Sequence, residues 1–175
     1  MKTYQEIQGW FNHSKTYDYL IGQCPDGGTI VELGAWLGKS SSYLVDNSLG
    51  KNVIIIDSWK GSPNELKSTH KLATEVDIYE IFKKNMGDRH YKSIRGLSSE
   101  VVNQFEDESL DVVFIDLTHT YESVKQDIEL WLPKVKKGGL LSGHDYERDW
   151  PGVVIAVDEA FPNKIVMENC WIFQK

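Results

Sequence analysis

The stretch Thr29-Ile30-Val31-Glu32-Leu33-Gly34-Ala35-Trp36-Leu37-Gly38-Lys39-Ser40-Ser41-Ser42 decides the fold. It opens as an apolar, β-branched run and turns at Gly34. Past Gly38 it enters three hydroxyl residues that suit the start of a helix. Strand, glycine turn and helix form the repeating unit of an α/β sheet. Working outward, the same signal recurs. Residues 53–56, 112–115 and 140–141 are further apolar runs, with a weaker one at 91–95. The strongest runs are continuous rather than alternating, as in strands covered on both faces of a parallel sheet. Between them, Val76, Tyr79 and Phe82 fall at helical spacing. Val124, Ile128 and Trp131 make a second apolar face, on a helix that should end before Pro133. Residues 153–161 predict another helix. Residues 164–167 and 170–173, joined by Glu168-Asn169, predict a β-hairpin and so an antiparallel strand. The pattern is a doubly wound α/β sheet in one domain over 1–175. Residues 1–28 form an N-terminal helical segment, and the polar stretch 60–74 is a lid loop.

The composition fits this reading and excludes several others. The 175 residues carry 19 Lys+Arg against 26 Asp+Glu, a formal net charge of -7. An acidic chain without a Lys/Arg block does not suit nucleic acid. There is no apolar run long enough to span a membrane and no signal-peptide stretch at Met1-Lys2-Thr3-Tyr4, so a cytoplasmic location is expected. Cys24 and Cys170 do not form a C-x-x-C pair and read as two reduced, buried thiols. Trp10, Trp131 and Trp171 read as packing residues. His13, His70 and His90 read as histidines in polar surroundings.

Ligands of open α/β sheets bind beyond the carboxyl ends of the strands. Four runs deliver acids or imidazoles there: Glu32, then Asp57, then Asp116 with His119, then His144-Asp145. A dinucleotide site would need G-x-G-x-x-G, but Trp36 fills the middle position and would obstruct a pyrophosphate. Asp57 lies where an acid pairs with ribose hydroxyls. Together these features predict an adenosine cofactor without a pyrophosphate.

The segment from Glu32 through Gly34, Ala35, Trp36 and Gly38 to Ser40 resembles the first motif of class I S-adenosylmethionine-dependent methyltransferases. It is especially similar to the catechol-type O-methyltransferases. Phe114-Ile115-Asp116-Leu117-Thr118-His119-Thr120-Tyr121-Glu122-Ser123-Val124 and Gly143-His144-Asp145-Tyr146 resemble the family called methyltransferase domain 24. The resemblance implies a Rossmann-like seven-stranded, mostly parallel sheet with a C-terminal antiparallel hairpin and helices on both faces. It implies S-adenosylmethionine as cofactor. Gly34, Ala35, Trp36 and Gly38 would line its methionine end, with Ser40 opening the next helix. Glu32 would brace the turn or reach the amino group. Asp57 would take the ribose hydroxyls, Ser58 and Trp59 would flank the adenine, and Ser98 would contact it. Asp116 falls at a shared metal and cofactor position, and His119 where the relatives place a lysine that accepts the substrate's proton.

His144-Asp145 departs from the Asp-Asn metal pair of the catechol-type enzymes. A set of Asp116, His144 and Asp145 suits manganese, iron or zinc better than magnesium. Without a metal, His119 and His144 would handle the proton. The expected acceptor is a hydroxyl of a small molecule or glycan. Its pocket would come from the N-terminal segment, the 60–74 loop and residues 146–150, or from a second copy in a homo-oligomer. Two other readings share the fold: a non-heme iron hydroxylase using Asp116, His144 and Asp145, and a non-catalytic adenosine-binding module.

Overall fold

The computed structural model describes residues 1–63 and 66–175. A seven-stranded sheet runs in the order β3-β2-β1-β4-β5-β7-β6. Its strands are β1 (Thr29–Leu33), β2 (Asn52–Asp57), β3 (Lys92–Arg95), β4 (Leu110–Ile115), β5 (Val135–Gly143), β6 (Ile165–Met167) and β7 (Cys170–Gln174). β1 pairs in parallel with β2 and β4, β2 with β3, and β4 with β5. β7 is antiparallel to both β5 and β6 and so sits between two strands that run the same way. The predicted hairpin is present. Its two turn residues, Glu168 (φ 49) and Asn169 (φ 62), are both left-handed, as a two-residue type I′ turn requires.

The apolar runs are continuous because each strand feeds two cores. Ile30, Ile55, Val112, Phe114 and Ile172 face one side, against α1 (Ser14–Gln23), α2 (Lys39–Asn47) and α3 (Ile78–Met86). Val31, Leu33, Ile56, Val113 and Ile115 face the other, against α4 (Ser98–Val101), α5 (Tyr121–Trp131) and α6 (Pro151–Ala160). All six residues of β4, the central strand, are buried. Capping agrees with position. Asp77 accepts from the Tyr79 amide at the start of α3, and Thr120 from the Ser123 amide at the start of α5. α5 ends at Trp131, and Pro133 lies in the 3-10 turn that follows.

Several expectations are corrected. Only Ser14–Gln23 of the N-terminal segment is α-helix. Tyr4–Glu6 is one 3-10 turn, and the chain between is extended or bent. The helix cap of α2 is Gly38 (φ 89) rather than the serines, because the chain enters that helix in a left-handed conformation. Trp131 and Trp171 are core residues, but Trp10 is 61% exposed. His13 is buried on the same face as Tyr17 and Leu20, not in polar surroundings. Within the loop expected at 60–74, Asn64 and Glu65 lie outside the described residues. The rest includes a 3-10 turn at Lys71–Thr74, and the His70 ring packs against Trp36 at 4.4 Å. Among the described residues, no helix is long and apolar enough to cross a membrane.

Candidate active site

The carboxyl ends of β1, β2, β4 and β5 converge at one sheet edge. The chain leaves β1 at Gly34 (φ 92), where an added Cβ would lie 1.7 Å from the carbonyl oxygen of Asp116. This crowding brings the first turn against the end of β4 and admits only glycine. Three larger residues at the same edge also hold left-handed backbone: Trp36 (φ 47), Trp59 (φ 52) and Asp145 (φ 58). Such conformations cost about 1 kcal/mol or more each and cluster where a site constrains them.

Asp57 organises the first turn. Its Oδ2 accepts from the amides of Ala35 (2.8 Å) and Trp36 (2.9 Å), and its Oδ1 from the amide of Trp59 (2.6 Å). The Trp59 indole donates to the Trp36 carbonyl at 2.9 Å, closing the link between the ends of β1 and β2. Bonds from amides to a charged acceptor contribute about 1.5–3 kcal/mol each. Asp57→Ala is therefore expected to lower stability by about 3 kcal/mol or more in urea denaturation and to weaken S-adenosylhomocysteine binding at least ~100-fold in calorimetry.

Glu32 lies beneath this turn and is fully buried. The hydroxyl of Tyr17 donates to its Oε1 at 2.7 Å, and the hydroxyl of Ser41 donates to Oε2. Burial pushes its carboxyl up to about 7, against the pull of the hydroxyls of Ser41, Tyr17 and Ser40. Glu32 thus ties α1 and α2 to β1. Ser58 accepts from the Lys60 amide at 3.2 Å.

Two residues expected near the adenine are committed elsewhere. The Trp59 ring is 2% exposed, packed on Tyr79 and Phe82, so it belongs to the core. Ser98 is the first residue of α4, after the cap Leu97, and its hydroxyl donates to Asp127 Oδ1 at 2.6 Å. Burial pushes the Asp127 carboxyl up to about 6, against that hydrogen bond. The folded state therefore holds a proton that the unfolded state releases near pH 4, and wild-type stability falls as pH rises from about 4 to about 6. Asp127→Asn removes this dependence. Urea denaturation across that window should shift in the variant's favour by about 2–3 kcal/mol, the size expected for a proton gap of that span.

Beyond β4 and β5, Asp116, His119, His144 and Asp145 come together. His119 Nε2 lies 2.8 Å from Asp145 Oδ2 and 3.8 Å from Asp116 Oδ1. His144 Nδ1 lies 3.1 Å from Asp145 Oδ1. Burial opposes a charge on His119, but the Asp116 and Asp145 carboxylates outweigh it and push the imidazole up to about 10. Burial likewise opposes charge on Asp145, yet bonds from His119 and His144 hold it well below the usual carboxylate range. His144 is raised: burial works against its charge and Asp145 for it. Trp150, at the start of α6, lies against His119 with ring centres 4.2 Å apart. A small cavity reaches Asp116, His119 and His144. A broader apolar cleft, lined by Tyr146, Glu147, Pro151 and Ile155, lies beside it.

The sequence profile of a family described as a methyltransferase domain matches residues 31–146. The chain belongs to the methyltransferase domain family. It is 32% identical over 145 residues to an uncharacterized protein of Acanthamoeba polyphaga mimivirus, covering 80% of this chain and 60% of that one. It is 26% identical over 126 residues to an uncharacterized protein of Sinorhizobium fredii, covering 67% of this chain and 13% of that one. It thus spans only part of these curated relatives. Among solved structures it resembles the O-methyltransferase NovP, with a TM-score of 0.71 at 19% identity over 93% of this chain and 78% of that one. It also resembles a TDP-rhamnose 3′-O-methyltransferase of calicheamicin biosynthesis, with a TM-score of 0.58 at 15% identity over 92% and 76%. At these identities the structural matches establish the fold alone.

Sequence reading missed Tyr17 and Ser41 as partners of Glu32, and His13 beside His144. His13, Tyr17, Leu20 and Cys24 recur at helical spacing, and that stripe carries the signal that His13 faces inward.

Proposed function

We propose that this methyltransferase transfers the methyl group of S-adenosylmethionine to a hydroxyl of a small molecule or glycan. The carrying observation is His119, held between Asp116 and Asp145 at the sheet edge beside the first turn. The donor set suits the cofactor. The glycine turn gives bare backbone, Asp57 fixes it, and acids at the ends of β2 and β4 suit a cationic sulfonium. The cofactor, when bound, supplies an electrophilic methyl for in-line displacement. The chain's part is alignment and proton removal. Between its two carboxylates His119 is charged at neutral pH, so it is the minor neutral form that accepts the acceptor's proton, and methyl transfer should rise as pH rises towards about 10. The likeness to two O-methyltransferase folds, one acting on a nucleotide sugar, supports a hydroxyl acceptor.

A magnesium ion does not suit Asp116, His144 and Asp145. Both oxygens of Asp145 face imidazole nitrogens, and His144 stands where an oxygen donor would be wanted. The test is release of S-adenosylhomocysteine from S-adenosylmethionine with a panel of sugars, nucleotide sugars and phenols. Acceptor-dependent release at one hydroxyl supports the reading. Cofactor binding with no release across the panel, or transfer to a nitrogen or carbon acceptor, contradicts it.

A further inference from the structure

Behind the strand-end acids, His13, His144 and Cys170 form a second group. One ligand-capable atom from each lies within 4.8 Å of the others. His13 comes from the N-terminal segment, His144 from the end of β5 and Cys170 from the first position of β7. His13 is 2% exposed and Cys170 fully buried. The His13 and His144 rings face each other at 4.2 Å, and His13 stacks on Phe114.

The two imidazoles have the same unfinished chemistry. His144 gives Nδ1 to Asp145 (3.1 Å), and His13 has Nδ1 near the side-chain oxygen of Asn12 (3.4 Å). In each ring Nε2 is buried with no hydrogen-bond partner. Leaving such an atom buried and unpaired is destabilising, and here there are two. Nothing apolar is gained by placing imidazoles there. A ring held on one nitrogen by an oxygen acceptor, with the other nitrogen free, is how proteins orient a histidine for a metal.

We propose that His13, His144 and Cys170 bind one divalent ion of the zinc class. Both histidines bind through Nε2 and Cys170 through Sγ, and Asp145 and Asn12 orient the imidazoles from behind. Two nitrogens and a sulfur select a borderline-soft ion over magnesium or calcium. On binding, the Cys170 thiol loses its proton to solvent and the sulfur–metal bond replaces the S–H bond. The ion would staple the segment before α1 across the sheet to the active edge and fix His144 and Asp145. Asp145 is shared with His119, but metal binding is read without methyl transfer, so either can fail alone. This site differs from the Asp116, His144 and Asp145 set in requiring sulfur.

Cobalt(II) titration of the metal-free full chain tests this directly, because a cobalt–thiolate bond has a near-ultraviolet charge-transfer band that oxygen and nitrogen ligands do not give. The expected result is one equivalent bound with that band, displaced by zinc, and a higher melting temperature. The band should vanish in Cys170→Ser, and binding should weaken at least ~10-fold in His13→Ala. Cys24→Ser and Asp116→Asn should keep the band. Thermal melting of each variant checks folding, and if Cys170→Ser does not fold, His13→Ala and Cys24→Ser decide. No binding, binding without the band in the wild type, or a band that depends on Cys24 would overturn the proposal.

Discussion

Gly34→Ala is expected to lower the melting temperature by about 10 °C or more and to abolish S-adenosylhomocysteine binding. The reason is local. The added Cβ would meet the Asp116 carbonyl oxygen at 1.7 Å and its carbon at 2.7 Å, and both are backbone that cannot rotate away. That contact sits between two structural bonds. The Gly34 amide donates to the Ile56 carbonyl at 2.9 Å, and the Asp116 amide to the Leu33 carbonyl at 2.8 Å. Relief must therefore part the ends of β1 and β4, at the centre of the sheet. The left-handed φ adds a second cost for any residue with a side chain. Overpacking and strain of this kind sum to about 4 kcal/mol, equivalent to roughly 8–16 °C for a chain of this size. Thermal melting and calorimetry read the two effects. A variant that melts within about 2 °C of wild type and still binds would show that the turn is not built as described.

His119→Ala is expected to lower kcat for methyl transfer by about 100-fold to 10,000-fold, the range typical of a positioned acid or base. S-adenosylhomocysteine affinity should stay within about threefold, since the imidazole faces Asp116, Asp145 and Trp150 beyond β4 and β5. The split separates a proton-handling group from a cofactor contact. His119→Gln supplies the control for structure. It retains a donor toward Asp145 but no base of comparable strength, so it should be as inactive as alanine while melting closer to wild type. Activity partly restored to His119→Ala by added imidazole would locate the defect in proton transfer. Full activity in both variants would remove His119 from the chemistry.

Much of the fold was legible because burial on both sheet faces leaves a direct trace. The runs at β1, β2 and β4 have no polar alternation to blur them, and Glu168-Asn169 carries its turn chemistry in two residues. The N-terminal segment was less legible. His13 is polar by type but is placed by packing on Phe114, and only its spacing from Tyr17 and Leu20 shows which way it faces. The site divides in the same way. That Asp57, Asp116, His119, His144 and Asp145 share one edge follows from each ending or following a strand. Which of them bond to one another does not, because backbone turns such as the left-handed Asp145 set side-chain directions that spacing cannot express. Trp59 shows the limit most clearly. It follows Asp57 by two positions, yet its left-handed backbone sends the ring into the core beneath the site. Ser98 likewise follows β3 as expected, while its hydroxyl is taken by Asp127 from a helix far along the chain.

The most direct measurement is calorimetric titration of the purified full chain with S-adenosylhomocysteine, beside Asp57→Ala under the same conditions. One-to-one binding with a dissociation constant on the order of micromolar is expected, and its loss in the variant. A folded wild-type chain that takes up no S-adenosylhomocysteine would contradict it.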